Sequence, residues 1–143
     1  MLAAVTDPRP HPDWVARLYD DFFNRGAPSS LQRALQPLRC GSLNGVPSRS
    51  GTAMLEQLEQ LRSSLCGRTL RLDRIQFAFD TPVAPETFAH VASIWWIVPA
   101  VASSPSAVAG GTIHGASKIT FTDDREIMDL RELWSVDPFA SRR

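Results

Sequence analysis

The sequence predicts an α+β fold, with helices gathered on one face of a curved antiparallel sheet, on three observations. Apolar residues recur at helical spacing only up to Gly67. Beyond Gly67 the chain reads as strands divided by breaks rich in Pro, Gly and Ser. Helices come first and strands afterwards, without the alternation of a parallel α/β sheet.

In PDWVARLYDDFFNRG, Val15, Leu18, Tyr19 and Phe22 keep the i, i+3, i+4, i+7 spacing of one helix face. Pro12 and Asp13 suit its first turn and Gly26 its stop. A shorter helix is predicted in SSLQRALQPL, opened by a serine cap and ended near Pro37. RCGSLNGVPSRSG should be strand plus loop. A third helix follows in TAMLEQLEQLRSSLCG, where Leu55, Leu58, Leu61 and Leu65 mark the stripe and Gly67 the end. Strands are predicted in TLRLDRIQFAF, TFAHVASIWWIV, GTIHGASKITF and EIMDLRELW, with TPVAPE and PAVASSPSAVAGG as breaks. Residues 1–10 have two prolines and no apolar period, which predicts an arm before a single domain at 11–137 and a tail at 138–143.

With 143 residues the chain makes one domain, long enough to bury a core, and 43% hydrophobic with 21% charged residues suits a globular protein. Fifteen basic residues balance fifteen acidic ones without a basic stripe, so neither nucleic acid nor an anionic membrane is an expected partner. Cys40 and Cys66 are too few for a disulfide scaffold and match no zinc spacing, which fits a reduced, cytoplasmic setting. The N-terminus lacks the pattern of a signal peptide. The most apolar window, TFAHVASIWWIVPAVA, is shorter than the roughly 20 residues a bilayer requires.

The last strand carries the first chemical signal. Side chains alternate along a strand, so Ile127, Asp129, Arg131 and Leu133 share one face and Met128, Leu130, Glu132 and Trp134 the other. The second face is the more apolar and is expected inside. Glu132 then becomes a lone carboxyl between Leu130 and Trp134, where lost hydration raises its pKa and suits it to moving protons. The alternative is an edge strand, with Glu132 reaching water or pairing with Lys118.

Three stretches carry a family resemblance: YDDFFNRG, SRSGTAML and ASKITFTDDREIMDLRELW. In order and spacing they resemble the end of the first helix, the opening of the third helix and the closing hairpin of ketosteroid-isomerase-like and SnoaL-like proteins of the nuclear-transport-factor-2-like superfamily. The resemblance spans residues 13–137. It implies a cone-shaped barrel of a strongly bent antiparallel sheet, with three N-terminal helices closing over a pocket. Tyr19 falls at the oxyanion-stabilising tyrosine of the steroid isomerases. Their general-base aspartate falls at or near Ser42 and their second oxyanion acid at Ser117, so steroid isomerisation with that residue set is not expected. Glu132 falls where SnoaL-type cyclases and limonene-epoxide-hydrolase-like enzymes hold a catalytic aspartate. The histidine of those cyclases would fall at Ser117, and the Arg-x-Asp pair of those hydrolases is missing. Trp134 and Leu130 fall at pocket-wall positions.

Together these readings make Glu132, His90 and Tyr19 the candidate catalytic residues. Trp134, Leu130, Trp96, Ser117 and Ser42 are the candidate substrate-binding residues. His90 is expected to meet Glu132 in the cavity if Phe88, His90, Ala92, Ile94 and Trp96 form the inner face, although a histidine there also serves as a satisfied core residue. Trp95 and Trp96 must point to opposite sides, and the outward one, with Val91 and Ile97, suits the outer-face homodimer that the resemblance implies. Three scattered histidines and two cysteines assemble no metal set, and no phosphate loop, nucleophile elbow or dinucleotide fingerprint is present. The expected activity is cofactor-independent isomerisation or cyclisation of a hydrophobic, oxygenated small molecule of the polyketide or terpenoid kind. The competing expectation is a ligand-binding or dimerisation module of the same fold.

Overall fold

A computed structural model of the chain describes residues 13–100 and 111–136. The arm expected at 1–10, the tail expected at 138–143 and most of the break expected at 99–111 lie outside the described residues.

The first amphipathic stripe forms α1, Asp13–Tyr19, and buries Val15, Leu18 and Tyr19. It does not continue as an α-helix to Gly26. It widens into a π-helical turn at Asp20–Asn24, where Phe22 and Phe23 are both buried, edge to face at 5.0 Å. Asn24 pins this turn to the sheet. Its side-chain amide donates to the Leu70 carbonyl at 2.9 Å and accepts from the Leu70 N–H at 2.8 Å. The second helix, α2, is Ser29–Leu35. The predicted serine cap is not formed. Pro28 takes the cap position without a side-chain bond, its fixed φ suiting the first turn.

The expected strand-plus-loop is a hairpin, β1 (Cys40–Leu43) and β2 (Val46–Ser48), closed by Asn44 and Gly45 with φ of 50 and 84. Two positive φ values in a two-residue loop are what an Asn-Gly turn accommodates. The long helix α3, Gly51–Ser64, is capped by Ser50, whose Oγ accepts from the Ala53 N–H at 3.1 Å, and it buries Met54, Leu58 and Leu61. Cys66 and Gly67, at φ 52 and 76, turn the chain out of it.

The remaining strands are β3 (Arg71–Ala84), β4 (Thr87–Val98), β5 (Ile113–Phe121) and β6 (Ile127–Trp134). The predicted break at TPVAPE is mostly strand. β3 continues through it with irregular register at Ala78/Thr81 and Pro82/Ala84, which an edge strand tolerates despite Pro82. The strand order is β2-β1-β6-β5-β4-β3. All neighbours run antiparallel except β1 and β6, which are parallel and so depart from the antiparallel expectation. The helices cover one face of this sheet, and one apolar cluster joins α1, α2, α3 and the inner rows of β4, β5 and β6. Among the described residues no helix is long and apolar enough to cross a membrane.

Alternation sets the inner rows. On β4 they are His90, Ala92, Ile94, Trp96 and Val98, while Trp95 faces the other way. Phe88, expected in the same row, is 63% exposed beyond the last regular rung. On β6, Leu130, Glu132 and Trp134 point inward as the pattern predicts. An irregular register between Thr120 and Phe121 gives the next inward place to Ile127 and leaves Met128 half-buried.

Gly115 lies opposite Trp134 across the β5–β6 pair. A Cβ there would sit 2.4 Å from the indole ring, so the missing side chain makes the space in which Trp134 lies flat. Gly115→Ala is expected to lower stability by about 1–3 kcal/mol, the usual cost of overpacking, and to shift the urea midpoint without changing the denaturant slope.

Candidate functional site

The centre of the core holds a hydrogen-bonded cluster supplied by four elements. α1 contributes Tyr19, β4 Trp96, β5 Ser117, and β6 both Glu132 and Trp134. The Tyr19 hydroxyl donates to Glu132 Oε1. Ser117 Oγ donates to Glu132 Oε2 at 2.6 Å, and Trp134 Nε1 donates to the same oxygen at 2.9 Å. Trp96 Nε1 donates to Ser117 Oγ at 3.0 Å, so the hydroxyl that gives to the carboxylate also receives. Every polar atom of this cluster therefore has a partner, which is the condition for burying it.

Its surroundings are aromatic. The Tyr19 ring stacks on Trp96 at 5.0 Å and on Phe23 at 5.7 Å, and Phe23 stacks on Trp134 at 6.0 Å. Glu132 and Tyr19 are each 0% exposed. The interior of the cone is thus occupied by side chains around this pair.

Burial dominates the electrostatics. It pushes the Glu132 carboxyl up to about 7, with hydrogen bonds from Ser117, Tyr19 and Trp134 acting against the rise. Burial likewise raises the Tyr19 phenol well above its ordinary value, and the neighbouring Glu132 charge adds to the rise. Glu132 is therefore the group that changes charge near neutrality, while Tyr19 keeps its proton. The Tyr19–Glu132 bond survives either state, because a protonated Oε1 can donate to the phenol oxygen that now donates to it.

The candidates separate into three places. Glu132, Tyr19, Trp134, Trp96 and Ser117 converge in the cluster, with Leu130 buried one inward position along β6. The alternative pairing of Glu132 with Lys118 does not occur, since these side chains lie on opposite faces. Ser42 stands opposite Arg131 in the outward-facing row, away from the cluster. The expected meeting of His90 with Glu132 does not occur either. His90 lies four residues along β4 from Ile94, which pairs with Ser117, a separation of about 13 Å at strand rise. Its Nδ1 accepts from the Asp80 N–H at 3.2 Å, so Nε2 carries the proton of the neutral ring and donates to Asp123 Oδ1 at 2.6 Å. Phe79 and Phe121 flank the ring at 5.1 and 5.4 Å. His90 is a core histidine held by an acidic turn.

Two contributors are not apparent from the strand pattern. Asn44, in the β1–β2 turn, clamps the end of β6. Its backbone N–H donates to the Glu132 carbonyl at 2.8 Å, its Oδ1 accepts from the Trp134 N–H at 2.7 Å, and its Nδ2 donates to the Val136 carbonyl at 3.0 Å. The Asn-Gly dipeptide marks the turn in the sequence, but nothing local shows that its side chain reaches another strand. Ser117, expected among the substrate-binding residues, bridges Trp96 to Glu132.

Clefts flank the cone. One of about 740 Å³ lies between Trp14, Leu18, Arg33, Pro37 and Arg125. Another of about 260 Å³ runs between Ala16, Arg17, Leu70 and Leu72 and reaches Trp96, the residue that stacks on Tyr19. Among the described residues no group of three or more His, Cys, Asp or Glu side chains could hold a metal ion.

The raised Glu132 pKa has a definite sign in stability. The folded state holds the proton more tightly than the unfolded chain, whose carboxyl titrates near 4.5. The favourable contribution is therefore full below about pH 4.5 and is lost as pH rises through about 7, a change of about 3 kcal/mol in all. Glu132→Gln keeps the neutral shape and is expected to flatten this slope. It should match the unsubstituted protein near pH 4.5 and exceed its stability at pH 8, as read by urea unfolding across pH.

The sequence matches no protein-family model and no curated protein. The structure is similar to several solved ones. A steroid delta-isomerase from Pseudomonas aeruginosa superposes with a TM-score of 0.52 at 15% identity, over 92% of this chain and 85% of that one. An NTF2-like protein of unknown function from Cytophaga hutchinsonii gives 0.53 at 9% identity, over 87% and 99%. A de novo designed protein with a curved β-sheet gives 0.60 at 11% identity, over 93% of both chains. At these identities the likeness concerns the fold, and the chain has the curved-sheet α+β fold of NTF2-like proteins.

Proposed function

We propose that the chain is a cofactor-independent acid–base enzyme that isomerises or cyclises a hydrophobic, oxygenated small molecule of the polyketide or terpenoid kind. The observation that carries this reading is the buried Tyr19–Glu132 pair, a carboxyl poised near neutrality against a phenol that keeps its proton. Ionised Glu132 takes a proton from a carbon next to a substrate carbonyl. The Tyr19 O–H turns from Oε1 to the carbonyl oxygen, where negative charge develops. That shift removes a bond which stabilises the carboxylate, so Glu132 becomes a stronger base as the substrate seats. Protonated Glu132 then returns the proton to a second carbon, which completes an isomerisation without any external acid. The substrate reaches the pair from the cleft that ends on Trp96, by displacing that ring from its stack on Tyr19. His90 has no part in these steps.

A specific observation favours a second reading, a non-catalytic module of the same fold: Tyr19, Phe23, Trp96 and Trp134 fill the cone around Glu132. The two readings part in one experiment, in which β,γ-unsaturated ketones and polycyclic ketones are followed by NMR for isomerisation and for deuterium uptake beside the carbonyl. The enzyme reading expects turnover that rises with pH through about 7. Glu132→Gln should reduce it by about 10²–10⁴-fold and Tyr19→Phe by about 10²-fold, with both variants folded. No exchange on any ketone, together with altered stability alone in the variants, selects the module.

A further inference from the structure

The face of the sheet turned away from the helices has a chemistry of its own. The strand register places Arg74, Trp95, Ala116 and Leu133 in one row across β3, β4, β5 and β6. The next row is Gln76, Ser93, Lys118 and Arg131. Between these rows lies a cleft of about 270 Å³, walled by Trp95, Ala116 and Leu133 and edged by Lys118 and Arg131. Leu133 is 65% exposed, and the Arg74 guanidinium lies 4.3 Å above the Trp95 ring.

The charges on this face are unbalanced. Lys118 and Arg131 are directly opposite each other on neighbouring antiparallel strands, an arrangement that costs stability through like-charge repulsion. Neither makes an ion pair or a side-chain hydrogen bond with any described residue. Arg71 and Arg74 extend the positive region along β3, at the rungs of Ile97 and Trp95. Asp129, opposite Thr120 on the following rung, is a carboxylate that this register places among them, and exposed Asp73 lies in the bulge beside Arg74. The chain as a whole has balanced charge, so these cations are offset by acidic residues elsewhere in the chain.

We propose that this outer face is a docking surface for an acidic segment of a partner protein, which seats one large apolar side chain in the cleft between Trp95 and Leu133. The cleft has room for a single large aromatic or branched side chain, the usual anchor of a protein interface. The surrounding cations supply the complementary field that guides an acidic partner and fixes its register. A second copy of this chain would bring the same cations against themselves. An anionic bilayer offers charge without a side chain shaped for the cleft.

The test pans a phage-displayed random dodecapeptide library against the folded protein, with counter-selection on Lys118→Glu. The proposal expects enriched peptides that are net acidic and share one Phe, Trp or Leu. It expects them to bind the unsubstituted protein at least about tenfold more tightly than Lys118→Glu and Leu133→Ser, and to weaken between low and high salt. Lys118→Glu also places opposite charges across the strand pair, so its melting temperature should rise while binding falls, an opposition that general misfolding does not produce. Enriched peptides without acidic bias, or equal binding to Lys118→Glu, overturn the proposal. Dimerisation abolished by Leu133→Ser assigns the face to a second copy and overturns it. Lys118-dependent binding to phosphatidylserine vesicles, without peptide enrichment, assigns it to a membrane and overturns it as well.

Discussion

The rest of the structure is arranged around one constraint: a carboxyl group with no access to water. An unpaired carboxylate in such a place costs several kcal/mol even after relaxation. Here the cost is met by three direct donors and one indirect donor, drawn from α1, β4, β5 and β6. No two adjacent elements provide them all, so the site exists only when the cone is closed. The π-helical turn after Tyr19, the bare backbone of Gly115 beneath Trp134 and the Asn44 clamp on β6 each hold one donor in reach. Polar satisfaction and packing are then the same requirement, because the rings that exclude water also carry the hydrogens that replace it.

Much of this was legible in the sequence. The inward row of β6 follows from alternation alone, because Leu130, Glu132 and Trp134 share a parity and only one of them is polar. The opposition of Trp95 and Trp96 follows in the same way. Helix stripes gave Val15, Leu18, Tyr19 and Leu58 their buried places for the same geometric reason. Parity fails where the backbone departs from regularity. The shift between Thr120 and Phe121 moved the inward place from Met128 to Ile127, and the irregular β3 edge replaced a predicted break with strand. Parity also says nothing about distance along a strand, which is why His90 shares a face with Trp96 and still belongs to the Asp123 turn. Contacts across a long sequence interval, such as Asn44 to Trp134, leave no local pattern to read.

The two faces of the sheet divide the polar chemistry between them. Inside, among the described residues, a single carboxyl is surrounded by neutral donors and rings. Outside, cations stand beside an exposed leucine and a tryptophan. β6 carries both in alternation, with Glu132 between Arg131 and Leu133. A one-residue slip of this strand would turn its carboxyl to solvent and bury an arginine, so the register of β6 specifies the chemistry of both faces at once.

The tryptophans have a consequence for observing the protein. Trp134 bonds directly to Glu132, and Trp96 bonds to it through one hydroxyl. The other two indoles lie elsewhere, Trp14 against Phe121 and Trp95 beneath Arg74. Two of the four chromophores that dominate the near ultraviolet are therefore attached to a group that gains and loses a proton near neutrality. Charge on the carboxylate shifts the electronic levels of an indole whose N–H points at it. The protein thus carries a built-in optical indicator at its centre, with two remote indoles as its own reference.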